Sequence, residues 1–150
     1  MTKRNVLDTN VYISALFWKG SPHDLFERII DVDFLNFISP QILDEVENKL
    51  LDKFKLPILK ARKMSETIVF SSEIVYPKRK FNIVKNDPSD NKIIECAIEA
   101  DASFIVSGGK KHLLNIKQYK DCRVPLFSDT NYALRPLCLM PFSEYARRHF

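Results

Sequence analysis

Glycine, cysteine and long apolar runs are all scarce in this 150-residue sequence. Only 3 residues are glycine while 45% are hydrophobic, a composition that excludes collagen-like repeats, low-complexity linkers and intrinsic disorder. No stretch approaches the roughly 18 consecutive apolar residues of a membrane span, and the N-terminus does not resemble a signal peptide. We therefore expect one globular domain over residues 1–150, cytoplasmic and without a membrane segment.

The cysteines exclude two further classes of protein. Cys96, Cys122 and Cys138 are odd in number and lack the paired spacing of a zinc site or a redox dithiol. They are typical of reduced, small apolar residues in a cytoplasmic protein.

The chain also lacks a large excess of one charge. Its net charge of +4 is too mild to indicate nucleic-acid binding by itself, but it does not oppose a polyanionic partner. Two tight basic groups could attract an RNA backbone, although solvated loop charges are the commoner explanation of such groups. They consist of Lys78, Arg79 and Lys80, and of Lys110 and Lys111.

Short apolar runs alternate with amphipathic segments along the chain. The runs predict strands at 4–8, 34–38, 104–106 and 123–127, a short extended piece at 74–76 and a strand stub at 137–140. Helices are predicted over 10–17, from 21, over 40–54, over 57–72, from Asp87 as N-cap, and over 141–148. This alternation predicts an α/β fold, a three-layer α/β/α sandwich with a central parallel sheet of 4–5 strands.

Polar residues that directly follow buried strands are the first candidates for a site, because ligands of such sheets bind beyond the carboxyl ends of the strands. Asp8 ends the first predicted strand, and Ser107 ends the strand at 104–106. Asp90 lies in the first turn of the helix that precedes the latter strand. Each acid taken alone is more typical of a turn or a helix cap. Their convergence on one sheet edge favours a site for Mg²⁺ or Mn²⁺, since clustered carboxylates repel without a hard cation.

A third acid is expected from the predicted helix over 40–54. On a helical wheel Glu47 falls inside the apolar arc, Asp44 falls beside it, and Glu45 stands roughly 60° off its edge. Periodicity therefore does not choose among them. A surface ion pair, such as Glu45 with Lys49 at i, i+4, is an alternative role for any of the three.

Five short motifs resemble the PIN domain family in order and spacing, and the likeness covers nearly the whole chain. They are Leu7 to Leu16, Gly20-Ser21-Pro22, Ile38-Ser39-Pro40 with Glu45, Asp87 to Lys92, and Ile105-Val106-Ser107-Gly108. The chain is most similar to small bacterial and archaeal PIN proteins of the VapC type, the toxin components of toxin–antitoxin systems.

The resemblance implies a metal-dependent ribonuclease. Asp8, Glu45 and Asp90 match the family's acids, which bind Mg²⁺ or Mn²⁺ and are catalytic. Asn10 matches an Asn whose amide would orient a carboxylate or a metal-bound water. Ser107 matches the Thr or Ser of the family's Thr-Gly-Asp segment. The resemblance also implies a homodimer and a cognate antitoxin protein as partners.

The chain departs from the family pattern near its last motif. Many PIN domains have an acid or Asn where this chain has Gly109, so we expect at most one weakly held metal ion. The stretch 125–136 is longer than usual, and Asp129 within it is a possible substitute ligand.

The residues fit phosphodiester hydrolysis independently of the resemblance. A carboxylate-held cation activates water and stabilises phosphoryl charge without a Ser, Cys or His nucleophile, and no such triad is recognisable here. One alternative is a catalytically weakened PIN-like module that binds RNA or a protein partner. A weaker one is a phosphatase, but Asp8-Thr9-Asn10 lacks the Asp-x-Asp nucleophile motif that a phosphatase would need.

Overall fold

The structure is a computed structural model. It describes residues 3–18, 23–24, 26–27, 34–80 and 90–107, together with the backbone of 138–141. Within these residues no helix has both the length and the apolar character that a bilayer crossing requires.

Five parallel strands form the sheet, as the alternating pattern predicts. They are β1 (Lys3–Leu7), β2 (Phe34–Ile38), β3 (Glu73–Ile74), β4 (Phe104–Ser107) and β5 (Cys138–Pro141). Their order across the sheet is β3-β2-β1-β4-β5, and every neighbouring pair is parallel. β1, β2 and β4 are buried over their last three residues, as expected where both faces of a sheet are covered, whereas both residues of β3 are exposed.

Four helices have described bounds between the strands, and residues 23–24 and 26–27 are helical as well. They are α1 (Thr9–Phe17), α2 (Pro40–Asn48), α3 (Ile58–Phe70) and α4 (Asn91–Glu99). Ser39 begins α2, since its Oγ accepts from the backbone N–H of Ile42 at 3.4 Å and Pro40 occupies the first turn. This is the Ser-Pro start that the sequence predicts.

The helix predicted over 40–54 is interrupted by a wider turn. α2 continues into a π-helical segment, Lys49–Lys53, in which Phe54 N–H bonds to the carbonyl of Lys49 at 3.1 Å. The wider turn keeps Leu50 fully buried while the ring of Phe54 stacks on Phe17 at 4.5 Å. Lys55 then ends the segment with a φ of 53°, a left-handed conformation.

The direction of chain progression reverses at β1, which makes the gap between β1 and β4 the topological switch point of the sheet. Right-handed crossovers place α1, α2 and α3 on one face and α4 on the other. In open α/β sheets the ligand site lies at this switch point, beyond the carboxyl ends of the strands. β1 ends at Leu7 and β4 ends at Ser107, so this is where Asp8 lies.

The core lies where the sheet meets its helices. Its largest fully buried side chains include Leu7, Tyr12, Phe37, Ile42 and Ile93, which come from strands and helices alike. One polar network is enclosed with them: Asn36 donates to the Tyr12 hydroxyl at 2.6 Å and to Ser72 Oγ at 2.7 Å. A buried amide with bonded hydroxyls fixes the packing of α1 on β2.

Several predictions concern parts of the chain outside the described residues. They include the strand at 123–127, the helix over 141–148, the N-cap at Asp87, most of the helix from 21, and the roles of Gly109 and Asp129. In the described part, α4 is assigned from Asn91, and Asp90 precedes it with helical backbone angles.

Candidate active site

Asp8 lies at the switch point of the sheet and is buried, with 8% of its surface exposed. The backbone N–H of Asp8 bonds to the carbonyl of Val106 at 2.9 Å, and Ser107 Oγ donates to Asp8 Oδ2 at 3.1 Å. Burial raises the pKa of the Asp8 carboxyl, and the charge of Glu45 raises it further, while the Ser107 hydroxyl and the charge of Lys49 act in the opposite direction. Ionisation of Asp8 is therefore less favourable in the folded protein than in water.

Asp8 and Asp90 both stand at the start of a helix. Each residue precedes a helix, at the N-cap position of α1 and of α4 respectively, but neither side chain makes a capping hydrogen bond. Ser39 shows by contrast that this fold does use side-chain caps elsewhere. The backbone N–H of Asn10 nevertheless lowers the pKa of Asp8, and the capping box of Asp90 with Asp87 lies outside the described residues.

Glu45 binds two ammonium groups at once. Lys49 Nζ lies 2.9 Å from Oε1, and Lys92 Nζ contacts Oε2. Partial burial alone would raise the pKa of Glu45, but the bonds from Lys92 and Lys49 outweigh it and lower the pKa. The local ion pair of Glu45 with Lys49 that helical spacing suggests does form, and a lysine from α4 joins it.

Lys49 connects Glu45 to the neighbourhood of Asp8. Its Nζ also donates to Asn10 Oδ1 at 3.2 Å, so the amide of Asn10 orients this lysine. The charges of both Lys49 and Glu45 act on Asp8. Asp8, Asn10, Glu45 and Lys49 therefore form one electrostatically coupled group at the sheet edge.

Asp90 is half-buried and comes immediately before α4. The same helix start carries Lys92, whose ammonium contacts Glu45, and this contact joins the beginning of α4 to α2. Asp90 thus lies on the segment that approaches the Asp8–Glu45 group from the other face of the sheet.

The three acids do not form a ready-made metal cluster. No group of three or more acidic, histidine or cysteine side chains that could hold a metal occurs among the residues that the structure describes. The donor set is nevertheless suited to Mg²⁺ or Mn²⁺, since both ions prefer carboxylate oxygens. Two ammonium groups already neutralise Glu45, so a metal ion would have to compete with them for this carboxylate.

One of the two basic groups lies within the described residues. Lys78, Arg79 and Lys80 are exposed, and two of them contact acids of α4. The backbone N–H of Lys78 donates to Glu99, and Lys80 Nζ lies 3.4 Å from Glu95, so these contacts hold the basic segment against α4. Lys110 and Lys111 lie outside the described residues.

Comparison with known proteins shows the family of this chain. A family model described as "PIN domain" matches residues 4–111, which is more than half of the chain. The chain belongs to the PIN domain family. It is also 35% identical over 117 residues to "Uncharacterized protein MJ1680" of Methanocaldococcus jannaschii, a match that covers 75% of this chain and 74% of that protein. PIN domains are in general nucleases, so the site at the switch point belongs to a nuclease-type domain.

Sequence reasoning missed the part that lysine plays in this PIN domain site. Lys92 stands two residues after Asp90 in the motif from Asp87. Its ion pair is with Glu45, which lies far away in the sequence, and the motif alone does not indicate that partner. The charge of Lys92 next to an acid-rich motif was the available signal. It could not specify which carboxylate the lysine binds.

Proposed function

We propose that the chain is a metal-dependent endoribonuclease that hydrolyses RNA phosphodiesters, with Asp8, Glu45 and Asp90 as its catalytic metal ligands. The observation that carries the proposal is the state of Asp8. It is a buried carboxylate at the switch point, it accepts a hydrogen bond from Ser107 of the neighbouring strand, and it lies within the electrostatic reach of a second acid. Such a placement is unfavourable for stability and is typical of a site kept for function.

The residues around Asp8 prepare it for this role. Ser107 donates to one carboxylate oxygen and so orients the group, while Asn10 positions Lys49. A bound Mg²⁺ or Mn²⁺ would lower the pKa of the attacking water, and its positive charge would stabilise the negative charge on the phosphoryl oxygens. The exposed segment from Lys78 to Lys80 would attract the RNA backbone in a salt-dependent manner.

RNA cleavage by the purified protein tests the proposal. We expect cleavage of single-stranded RNA with MgCl2 or MnCl2 and its loss in EDTA. Asp8→Asn, Asp90→Asn and Glu45→Gln should each reduce the rate by at least about 100-fold, since each removes a charged ligand. Full activity in any of these variants would remove that acid from the proposed ligand set.

Asp44→Asn is the matched control. Asp44 precedes Glu45 on α2 and is exposed, so the variant removes the same charge from the same helix without touching the site. It should cleave RNA at the wild-type rate. An equal loss in Asp44→Asn would mean that net charge, and not ligation, controls cleavage.

We further propose that this nuclease is the toxin of a type II toxin–antitoxin system, cytoplasmic and homodimeric, with a small antitoxin as partner. The similarity of its motifs to VapC-type PIN proteins supports this role. Growth arrest on expression, relieved by co-expression of the proposed antitoxin, is the expected result. Light scattering on the purified protein tests the dimer.

A catalytically weakened PIN module that binds RNA is the second candidate. The observation that favours it is the pairing of Glu45 with two lysines instead of with further acids. RNA binding without metal-dependent cleavage would select this candidate over the first.

A further inference from the structure

Lys92 is the most unusual group at the candidate site. It reaches from α4 to a carboxylate of α2, and its side chain is only 22% exposed. Glu45 already has a partner of its own helix in Lys49, four residues away. Lys92 therefore adds a second positive charge to a carboxylate that Lys49 already neutralises.

The two lysines differ in what else they bind. Lys49 donates to Asn10 Oδ1 as well as to Glu45, and its charge also acts on Asp8. Among the described residues, Lys92 makes its polar contact with Glu45. If Glu45 were used as a metal ligand, Lys49 would keep a partner and Lys92 would need a new one.

The charges of the site favour an anion as that new partner. The carboxylates of Asp8, Glu45 and Asp90 exceed the ammonium groups of Lys49 and Lys92 by one negative charge. A divalent cation reverses this balance to one positive charge. A half-buried ammonium without a partner is costly, so a phosphate at the site would relieve both the excess charge and the unpaired lysine.

We propose that Lys92 is an RNA-binding residue that the metal-free protein holds on Glu45 and that binds a backbone phosphate once Glu45 is used as a metal ligand. The proposal rests on the function proposed above, because it needs Glu45 to ligate a divalent cation. Lys92 and the metal ion then compete for the carboxylate of Glu45, and the displaced ammonium group contacts the RNA.

Metal affinity tests the competition without any measurement of activity. Titration calorimetry with MnCl2 should show roughly 5-fold tighter binding to Lys92→Met than to wild type, because the competing ammonium is gone. Lys60→Met is the matched control, since Lys60 is an exposed lysine of α3. It should bind Mn²⁺ as wild type does. Equal Mn²⁺ affinity of Lys92→Met and wild type would overturn the proposal.

RNA affinity tests the phosphate contact. The probe is a fluorescein-labelled, phosphorothioate-linked single-stranded RNA, whose backbone resists hydrolysis. With MnCl2 present, Lys92→Met should bind it about 10-fold more weakly than wild type. The slope of log affinity against log salt should fall by about 0.7, the effect of one lost phosphate contact. In EDTA the two proteins should bind it equally, since Glu45 then holds Lys92, and a loss of equal size in EDTA would overturn the proposal.

Wild-type protein provides a test that does not depend on the folding of a variant. The ¹³Cε resonance of Lys92 should shift when MgCl2 is added and again when RNA is added. A resonance that responds to neither would show that Lys92 stays on Glu45. Lys92→Arg, which keeps a cation, should retain most of the RNA affinity that Lys92→Met loses.

The outcomes separate this proposal from the proposed function. Metal-dependent RNA cleavage by wild type, with unchanged Mn²⁺ and RNA affinities in Lys92→Met, would leave the nuclease standing and remove the role of Lys92. Tighter Mn²⁺ binding and weaker RNA binding in Lys92→Met, without cleavage by wild type, would support Lys92 and overturn the nuclease. Absence of Mn²⁺ binding in both proteins would overturn both proposals.

Discussion

Asp8 and Glu45 show how two carboxylates at one sheet edge acquire opposite effects on stability. Burial raises the pKa of Asp8, whereas two lysines lower that of Glu45 against the effect of its own partial burial. A raised pKa means that the ionised form is disfavoured by folding, and a lowered pKa means that it is favoured. We therefore expect neutral substitutions of the two acids to change the free energy of unfolding in opposite directions.

Asp8→Asn should stabilise the metal-free protein at neutral pH by about 1 kcal/mol, because it removes a buried charge and can still accept from Ser107. The contribution of Asp8 to stability is fully present below its unfolded pKa and is lost as the pH rises through its raised folded pKa. The gap between variant and wild type should therefore widen as the pH rises above about 4. Thermal unfolding in EDTA, followed by circular dichroism, measures it.

Glu45→Gln is the comparison of opposite sign. It leaves two half-buried ammonium groups without a carboxylate, so it should destabilise the protein by about 1 to 2 kcal/mol, between the values for exposed and buried pairs. The stability that Glu45 provides is lost as the pH falls through its lowered pKa, so this gap should close in acid. Shifts of the same sign in both variants would contradict the opposed environments of the two acids.

At the scale of the element, the helix from Pro40 illustrates local and non-local control. Its start follows from Ser39 and Pro40 alone, but its end is reshaped by the π-helical segment Lys49–Lys53 and by the stacking of Phe54 on Phe17. Lys55 follows the helical segment with a positive φ, a conformation that glycine adopts more readily than lysine. Lys55 is exposed, so the strain at this position comes from the Cβ atom of a non-glycine residue and not from packing.

Lys55→Gly should stabilise the protein by about 0.5 to 1 kcal/mol, because glycine adopts the left-handed conformation without the Cβ clash. Lys53→Gly, inside the π-helical segment, should destabilise it by about 1 kcal/mol through lost helical propensity. Urea unfolding of the two variants measures both effects. If the two glycines acted in the same direction, the positive φ of Lys55 would not limit stability.

At the scale of the whole molecule, the reversal of chain progression at β1 brings Asp8 and Glu45, from separate stretches of sequence, within electrostatic reach of each other at one edge of the sheet. Asp8 follows β1, Glu45 lies on α2, and Asp90 precedes α4. Asp8 and Glu45 repel each other, and the ammonium groups of Lys49 and Lys92 offset the charge of Glu45. A cation that binds only the folded arrangement should stabilise the entire domain.

MnCl2 at about 100 times its dissociation constant should raise the free energy of unfolding of wild type by about 2.7 kcal/mol. For a chain of this size that corresponds to roughly 5 to 10 °C in Tm. Asp8→Asn should lose most of the shift, whereas Asp44→Asn should keep it. Differential scanning calorimetry with and without the metal checks this, and an undiminished shift in Asp8→Asn would locate the metal elsewhere.

The sequence by itself determined most of the described strands and helices, because these depend on local signals. Apolar runs of strand length predicted Phe34–Ile38 with its observed bounds, and the Ser-Pro pair predicted the start of the helix at Pro40. The abrupt polar residue after Leu7 placed Asp8 at a strand end, and the strand-end Ser107 was expected beside it. Their hydrogen bond confirms that these two ends are neighbours.

Only the tertiary structure decided what each acid binds. Whether Asp8 caps its helix or accepts from Ser107 depends on a residue 99 positions away. Helical periodicity could not choose between Glu45 and its neighbours Asp44 and Glu47, because it describes one helix and not the helix that faces it. Lys92 reaches Glu45 across the sheet edge, and that contact depends on the crossover that brings α4 against α2. Contacts of this kind arise from packing, and the spacing of residues along the chain does not encode them.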